Sequence, residues 1–408
     1  MATFLWMWFS VLGTLHILDE KFELKMKLIT LTTAACVSQI GYVFYKYKIR
    51  HTAQTRSWFN WSNDKSSLSN SKVLMLKRKS VLAQEYSIEM YQYATCPFCN
   101  KVRVYLDYYG IPYRSIEVRP VPKPEMKWLK DKKKKVPTLK ITNLRSASET
   151  MVLQESSQIV SLIHSFLNDN TNSETFRALA EHFENITSNS DDKAAKYTIK
   201  NYGLDDQDGF KRRELEWRRW ADDTLVHVVA PNIYRSLPEA LHSFSVITRK
   251  GNYGHDATWA PLYSFMATWI GASLMRFVIA PRLKKKNGLK EDVRACLYES
   301  VNMWMEEIGP TNKFHGGVEP DLADLAVFGV LRSMEDMSAF LDMLEYTRVG
   351  KWYGRMSRLC AKNSQEKRQL TSQPSVEAEE DTKAEQQLES EGGRSNKKGT
   401  SHHSTRSG

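Results

Sequence analysis

An apolar, β-prone stretch from Ile88 to Tyr93 runs directly into Ala94-Thr95-Cys96-Pro97-Phe98-Cys99, and this junction constrains the chain more than any other. The next residues carry a helical period. Val102, Tyr105, Leu106 and Tyr109 fall on one face, and Gly110 closes the helix. A strand that turns within a few residues into a helix places Cys96 at the helix N-terminus. There, free backbone N–H groups and the helix dipole favour a thiolate. The spacing therefore predicts chemistry at Cys96, with Cys99 less exposed near the first helical turn. Tyr93 ends the strand on the face shared with Tyr91, and Gln92 points the other way. Phe98 sits inside the turn, where it is placed to line a substrate mouth.

The following residues fit one small α/β layer. A second strand is expected at 113–118, then a proline-punctuated stretch (Pro120, Pro122, Pro124) and a short helix near 125–129. Val136-Pro137 opens a third strand, a polar turn spans 143–149, and Met151 to Leu153 returns as its partner. Glu155-Ser156-Ser157 then caps an amphipathic helix to about Leu167, with Ile159, Ile163 and Phe166 on one side. The order β-α-β-α-β-β-α over residues 86–168 predicts an α/β domain. Residues 169–208 read as an irregular connection with a hairpin near 196–204. Residues 209–362 read as helical nearly throughout, in segments at about 210–230, 236–249, 256–281, 289–308, 321–334, 336–346 and 350–361. Residues 51–85 read as a linker, and 363–408, where apolar residues nearly vanish, as a disordered tail.

The first 50 residues read differently. Ala2 to Leu18 and Leu28 to Tyr45 carry no charge, and each is near the minimum length for a span, roughly 17–25 residues. The first lacks the basic start and small-residue cleavage site of a signal peptide, which favours an anchor. A start at Met26 would leave only the second segment. Lys46, Lys48 and Arg50 follow it directly, so the positive-inside rule puts the remainder of the chain in the cytosol. The sequons at Asn60 and Asn185 would then stay unglycosylated. Five scattered cysteines in a chain of 408 residues are no disulfide framework, and a single CxxC lacks the second ligand pair of structural zinc. No metal is expected. The net charge of +11 suits anionic lipid or an acidic ligand. Nucleic acid is excluded as a partner, because the chain carries no zinc finger, basic zipper or RNA-recognition signature. The lysines around 127–135 suit a solvated loop or contact with lipid headgroups.

An α/β module of this order followed by an all-α region resembles the glutathione transferase plan. Trp217-Arg218-Arg219-Trp220-Ala221-Asp222-Asp223, Leu225-Val226-His227, Ala230-Pro231-Asn232-Ile233-Tyr234-Arg235 and Gly316-Gly317 with Pro320-Asp321-Leu322-Ala323-Asp324 narrow this. Together with the Tyr93-to-Cys99 turn and Lys135-Val136-Pro137, they resemble the microsomal prostaglandin E synthase type 2 family, from about Tyr86 to about Cys360. The resemblance implies a thioredoxin-like, glutaredoxin-like domain followed by a GST-like helical domain, an N-terminal membrane segment and a homodimer. It places the enzyme on Golgi or perinuclear membranes facing the cytosol, with a soluble cytoplasmic form on loss of the N-terminus.

In that family the residue matching Cys96 is the thiol that rearranges prostaglandin H2, a lipid-derived endoperoxide, to prostaglandin E2. Pattern alone leaves Tyr93 as either a core tyrosine or a site residue; the resemblance favours the site, with its hydroxyl bonding the sulfur or an endoperoxide oxygen. Val136 and the cis-proline Pro137 then present backbone to glutathione, and Glu155 with Ser156 hold its γ-glutamyl end. One form of the family carries a glutathione-ligated haem, which His227, Arg282 and Lys286 would face. The chain departs from that pattern at Ala230, where the family has serine, and at Lys286, where it has arginine. Other readings of the same residues are a glutathione-dependent thiol–disulfide oxidoreductase or transferase, with Cys99 resolving a mixed disulfide, and a noncatalytic GST-fold protein binding haem or lipid. Asp321 and Asp324 read as a helix cap without a catalytic role. Trp217, Trp220, Asp222 and Asp223 read as packing and capping between domains.

Overall fold

The structure is a computed structural model. It describes residues 70–372 apart from 121, 131–132, 147–148, 170–174, 190–194, 200–208 and 252–259. The apolar segments 2–18 and 28–45, the second half of the expected hairpin and most of the tail lie outside the described residues. Among the described residues, no helix is long and apolar enough to cross a membrane.

A helix α1 (Asn70–Glu85) leads into strand β1 (Tyr86–Gln92), helix α2 (Pro97–Tyr108) and strand β2 (Arg114–Glu117). Strands β3 (Thr138–Asn143) and β4 (Thr150–Gln154) form a hairpin, and helix α3 (Ser156–Leu167) follows. The sheet order is β2-β1-β3-β4. β1 pairs parallel to β2 and antiparallel to β3, with Tyr91 opposite Ile116 on one side and Thr138 on the other. Leu139 lies opposite Leu153 across the hairpin.

Alternation along β1 separates two apolar clusters. Tyr86, Ile88 and Met90 face the main core with α2 and α3. Tyr91 faces a smaller cluster of Val118, Met126 and Leu129, on which Tyr93 and Val136 also pack. Gly110 takes a positive φ of 62°, and Ile111 N bonds back to Leu106 O at 2.8 Å, so the glycine ends α2 as its sequence position predicts.

Helix α4 (Phe176–Asn189) precedes a short 3-10 turn (Ala195–Tyr197). The helical region then runs through α5 (Phe210–Trp220), a π turn (Ala221–Leu225), α6 (Val226–Ile233) and α7 (Leu237–Lys250). It continues with α8 (Ala260–Leu274), a second π turn (Met275–Ile279), α9 (Ala280–Lys286), α10 (Val293–Ile308), α11 (Leu322–Arg332), α12 (Ser338–Tyr346) and α13 (Gly350–Ser372). Helix α11 is buried along its length and packs against α2, α5 and α13. Gly329 permits the closest approach. A Cβ at that position would lie 2.7 Å from Lys101 Cα, so this helix can lie against α2 only with hydrogen there.

Four expectations differ from the structure. The end of the expected linker is helix α1, which Leu82 and the buried Arg78–Asp169 pair (2.6 Å) tie to the core. Its own periodicity is weak, so tertiary contacts stabilise it. The connection expected to be irregular contains α4, whose Phe176, Leu179, Ala180 and Phe183 are buried at helical spacing. The last helix continues beyond residue 362 to Ser372. The expected helix near 125–129 is a 3-10 turn, Pro124–Met126.

Candidate active site

Cys96 occupies the N-cap of α2 in an extended conformation, with Pro97 at the first helical position. Proline is tolerated there because its missing N–H would have no partner in the helix. The turn is held by its own backbone: Cys96 N donates to Tyr93 O at 3.0 Å, and Asn100 N to Cys96 O at 2.9 Å. The Asn100 side chain donates to Ala94 O at 2.9 Å and to Cys96 O at 3.0 Å. From behind, Glu117 Oε1 accepts from Ala94 N at 2.7 Å, and Arg103 Nη2 donates to Ala94 O at 3.2 Å. The peptide units entering the turn are therefore clamped from both ends, which keeps Cys96 aimed without using its sulfur.

The two cysteines have opposite environments. Cys99 is fully buried, and burial raises its thiol well above the ordinary range. Cys96 is half-buried, and its thiol is lowered. The Cys99 thiol hydrogen bond is the largest cause; burial opposes it, and the N–H groups of Cys99 and Phe98 and the charge of Arg103 assist. Cys96 is thus the more acidic of the two thiols, and Cys99 is the hydrogen-bond donor beside it. The sequence reading gave Cys99 only an accessory part, and its influence on the sulfur comes from burial that the motif does not reveal.

Tyr93 is half-buried. Burial, then the neighbouring Cys99 and Cys96, push its hydroxyl up to about 12, so it stays a phenol. Phe98 is exposed at the turn.

The Val136–Pro137 peptide bond is cis. Val136 packs on the same small cluster as Tyr93, and both Val136 and Cys96 pack against the main core. The loop before Pro137 is braced by Thr138, whose hydroxyl donates to Lys135 O at 2.6 Å. Gln154 Nε2 donates to Lys133 O at 2.8 Å and Thr138 Oγ1 at 3.0 Å. Glu155 precedes α3 at φ 81° and makes an exposed ion pair with Lys135, while Ser156 is buried. No side chain caps α3. Its first N–H groups are therefore a donor set suited to a carboxylate. These features fit the ends of a γ-glutamyl peptide.

The residues expected to face haem lie on α6 (His227) and α9 (Arg282 and Lys286), two helices that pack against each other. His227, Arg282 and Lys286 are exposed, and Arg282 Nη1 bonds back to Val278 O of its own helix at 3.5 Å. Among the described residues, no hydrogen bond links the three to one another or to Cys96.

Sequence reading missed a polar node below the site. Lys101 on α2 makes an ion pair with Asp222 from the π turn and donates to Ser157 Oγ on α3 at 2.9 Å. Ser157 Oγ and Tyr197 Oη donate to Asp222 Oδ2 at 2.6 and 2.7 Å. All four residues are buried. Burial opposes the Asp222 charge, but Lys101 and the two hydroxyls outweigh it and hold the carboxyl below its ordinary range. Removing one member of such a buried pair costs about 3–5 kcal/mol. Asp222 belongs to the Trp-Arg-Arg-Trp-Ala-Asp-Asp run and reaches the α/β domain, whereas Trp217 packs edge-on against Trp220 and Trp304 within the helical region.

Residues 90–166 match the glutathione S-transferase N-terminal domain family. The chain is 40% identical over 289 residues to prostaglandin E synthase 2 of Danio rerio, covering 68% of this chain and 72% of that protein. It is 37% identical over 292 residues to prostaglandin E synthase 2 of Mus musculus, covering 68% and 71%. Among solved structures, glutaredoxin 2 of Salmonella typhimurium in complex with glutathione aligns at 14% identity with a TM-score of 0.34, covering 67% of this chain and 95% of that one. The chain covers more than two thirds of each of the two synthases at 37–40% identity, and it belongs to the prostaglandin E synthase 2 family.

Proposed function

We propose that this protein isomerises prostaglandin H2 to prostaglandin E2 with the Cys96 thiolate and bound glutathione. The observation that carries the reading is the pairing of a lowered thiol at Cys96 with a buried, protonated Cys99 beside it. The names of the two relatives supply the substrate class. Val136, Glu155, Ser156 and the uncapped start of α3 would hold glutathione, which when bound supplies a thiol that keeps Cys96 reduced.

In this reading Cys96 Sγ attacks one endoperoxide oxygen. An S–O bond forms as the O–O bond breaks, and the departing alkoxide takes the Tyr93 proton. The Tyr93 phenolate then removes hydrogen from the carbon bearing the sulfur-bound oxygen. The C–H electrons form the ketone, the S–O bond breaks, and the thiolate returns with no net redox change. Phe98 would shield the apolar substrate at the mouth of the turn. We further propose that the chain is anchored through its first 50 residues with the catalytic part in the cytosol, where an apolar substrate leaves the lipid phase, and that it works as a homodimer.

The test is the product mixture that the purified full-length chain forms from prostaglandin H2 with glutathione present. Prostaglandin E2 at rates above the uncatalysed rearrangement supports the reading, and no excess overturns it. A second reading, a thiol–disulfide oxidoreductase, draws on the position of Cys99 directly beside Cys96. Reduction of a small disulfide that falls equally in Cys96→Ser and Cys99→Ser would favour it.

A further inference from the structure

The buried node beneath the site touches two elements that the proposed chemistry needs, α2 and α3. Lys101 lies on α2, the helix that begins at Cys96, and Ser157 follows Ser156 at the start of α3. Asp222 comes from the helical region and receives both. The α-helical register is interrupted there: residues Ala221–Leu225 form a π turn between α5 and α6. Such turns insert extra backbone at a cost and often mark functional positions. Within this turn Asp222 is buried and its neighbour Asp223 is exposed. Tyr197 also donates to Asp222. Gly329 brings α11 against the backbone of Lys101. A water-sized cavity of about 10 Å³ lies beside the node, lined in part by Lys101, Ser157 and Arg218.

We propose that Asp222 is a positioning residue that sets the distance between the Cys96 end of α2 and the glutathione-binding end of α3. Lys101 and Ser157 are its two arms. This rests on glutathione binding at α3. The Ser157 hydroxyl is the critical link, because it donates to Asp222 and accepts from Lys101 at once. Its loss leaves the ion pair in place but frees α3 from it.

The experiment compares the full-length chain with Ser157→Ala, Asp222→Asn and a control, Ser165→Ala. Ser165 is buried on the same helix, two turns further on, and donates to Ser161 O at 2.7 Å. Two readouts need no prostaglandin: glutathione affinity by calorimetry, and the pH profile of Cys96 alkylation by iodoacetamide. Thermal melting reports the fold. The expected result is glutathione affinity weakened about tenfold in Ser157→Ala, as for loss of a positioning contact, with Cys96 still alkylated along the wild-type profile. Asp222→Asn weakens glutathione at least as much and, where it folds, also shifts the alkylation profile. Ser165→Ala changes melting only. Ser157→Ala with wild-type affinity, or affinity loss in Ser165→Ala matching that in Ser157→Ala, overturns the proposal. Wild-type chain that fails to bind glutathione at all would instead overturn the proposed function.

Discussion

Two helix N-termini in this protein are built in opposite ways. Helix α11 is closed. Asp321 Oδ1 accepts from Asp324 N at 2.9 Å, and Asp324 Oδ2 accepts from Asp321 N at 3.2 Å, a reciprocal capping box. Asp324 also takes His315 N and Gly316 N at 3.1 Å and the Trp352 indole at 2.8 Å. Helix α2 is open. Its N-cap is a cysteine, no side chain caps it, and the groups that hold the turn, Asn100, Arg103 and Glu117, bind backbone. A closed terminus spends its donors on folding, whereas an open one keeps them for a charge that arises in chemistry. The same helix dipole therefore serves stability in α11 and a lowered thiol in α2.

The sharpest way to break the comparison is Cys96→Ser. If the open terminus exists for a thiolate, prostaglandin E2 formation falls by about a hundredfold or more, while melting is nearly unchanged. Retained turnover would put the chemistry elsewhere. Tyr93→Phe removes the phenolic proton and keeps the ring, and the expected loss is about tenfold in kcat with little change in KM. A KM change alone would reduce Tyr93 to a substrate contact.

Cys99→Ala tests where the lowered thiol comes from. Its hydrogen bond favours the Cys96 thiolate, so its removal raises the Cys96 pKa. Alkylation at pH 7 should slow by about three- to tenfold and recover as the pH rises. Cys99→Ser, which retains a donor, should sit between wild type and Cys99→Ala. An unchanged profile in Cys99→Ala would mean that the helix terminus acts alone.

At the closed end, the smallest catalytic effect is expected. Burial, with Asp321 nearby, pushes the Asp324 carboxyl up to about 7. A carboxyl raised on folding favours the folded state most when protonated. Its contribution is therefore fully present below the ordinary aspartate range and is lost as pH rises through about 7. Thermal melts of Asp324→Asn should show a flatter pH dependence than wild type between about pH 4 and 7, with Cys96 alkylation unaffected. A shifted alkylation profile would show that the two termini communicate.

The contrast was partly legible in the residues themselves. The strand–turn–helix order around Cys96, the 138–154 hairpin and the Asp321–Asp324 cap depend on near neighbours in sequence, and pattern locates them within a few residues. Helix α1 escaped because its polar sequence has little periodicity, and α4 because it lies in a polar stretch. The Lys101–Asp222 pair was illegible for a different reason. Its members stand 121 positions apart, and nothing local to either marks the other as its partner.

Sequence by itself determined that a cysteine would stand at an open helix N-terminus beside an X–Pro strand, because short-range backbone sterics and hydrophobic period settle such features. Tertiary structure decided which cysteine is the more acidic, since burial of Cys99 depends on the whole core. It also decided that Asp222 reaches both binding helices. Long-range packing chooses partners by shape and charge only after the local elements have formed.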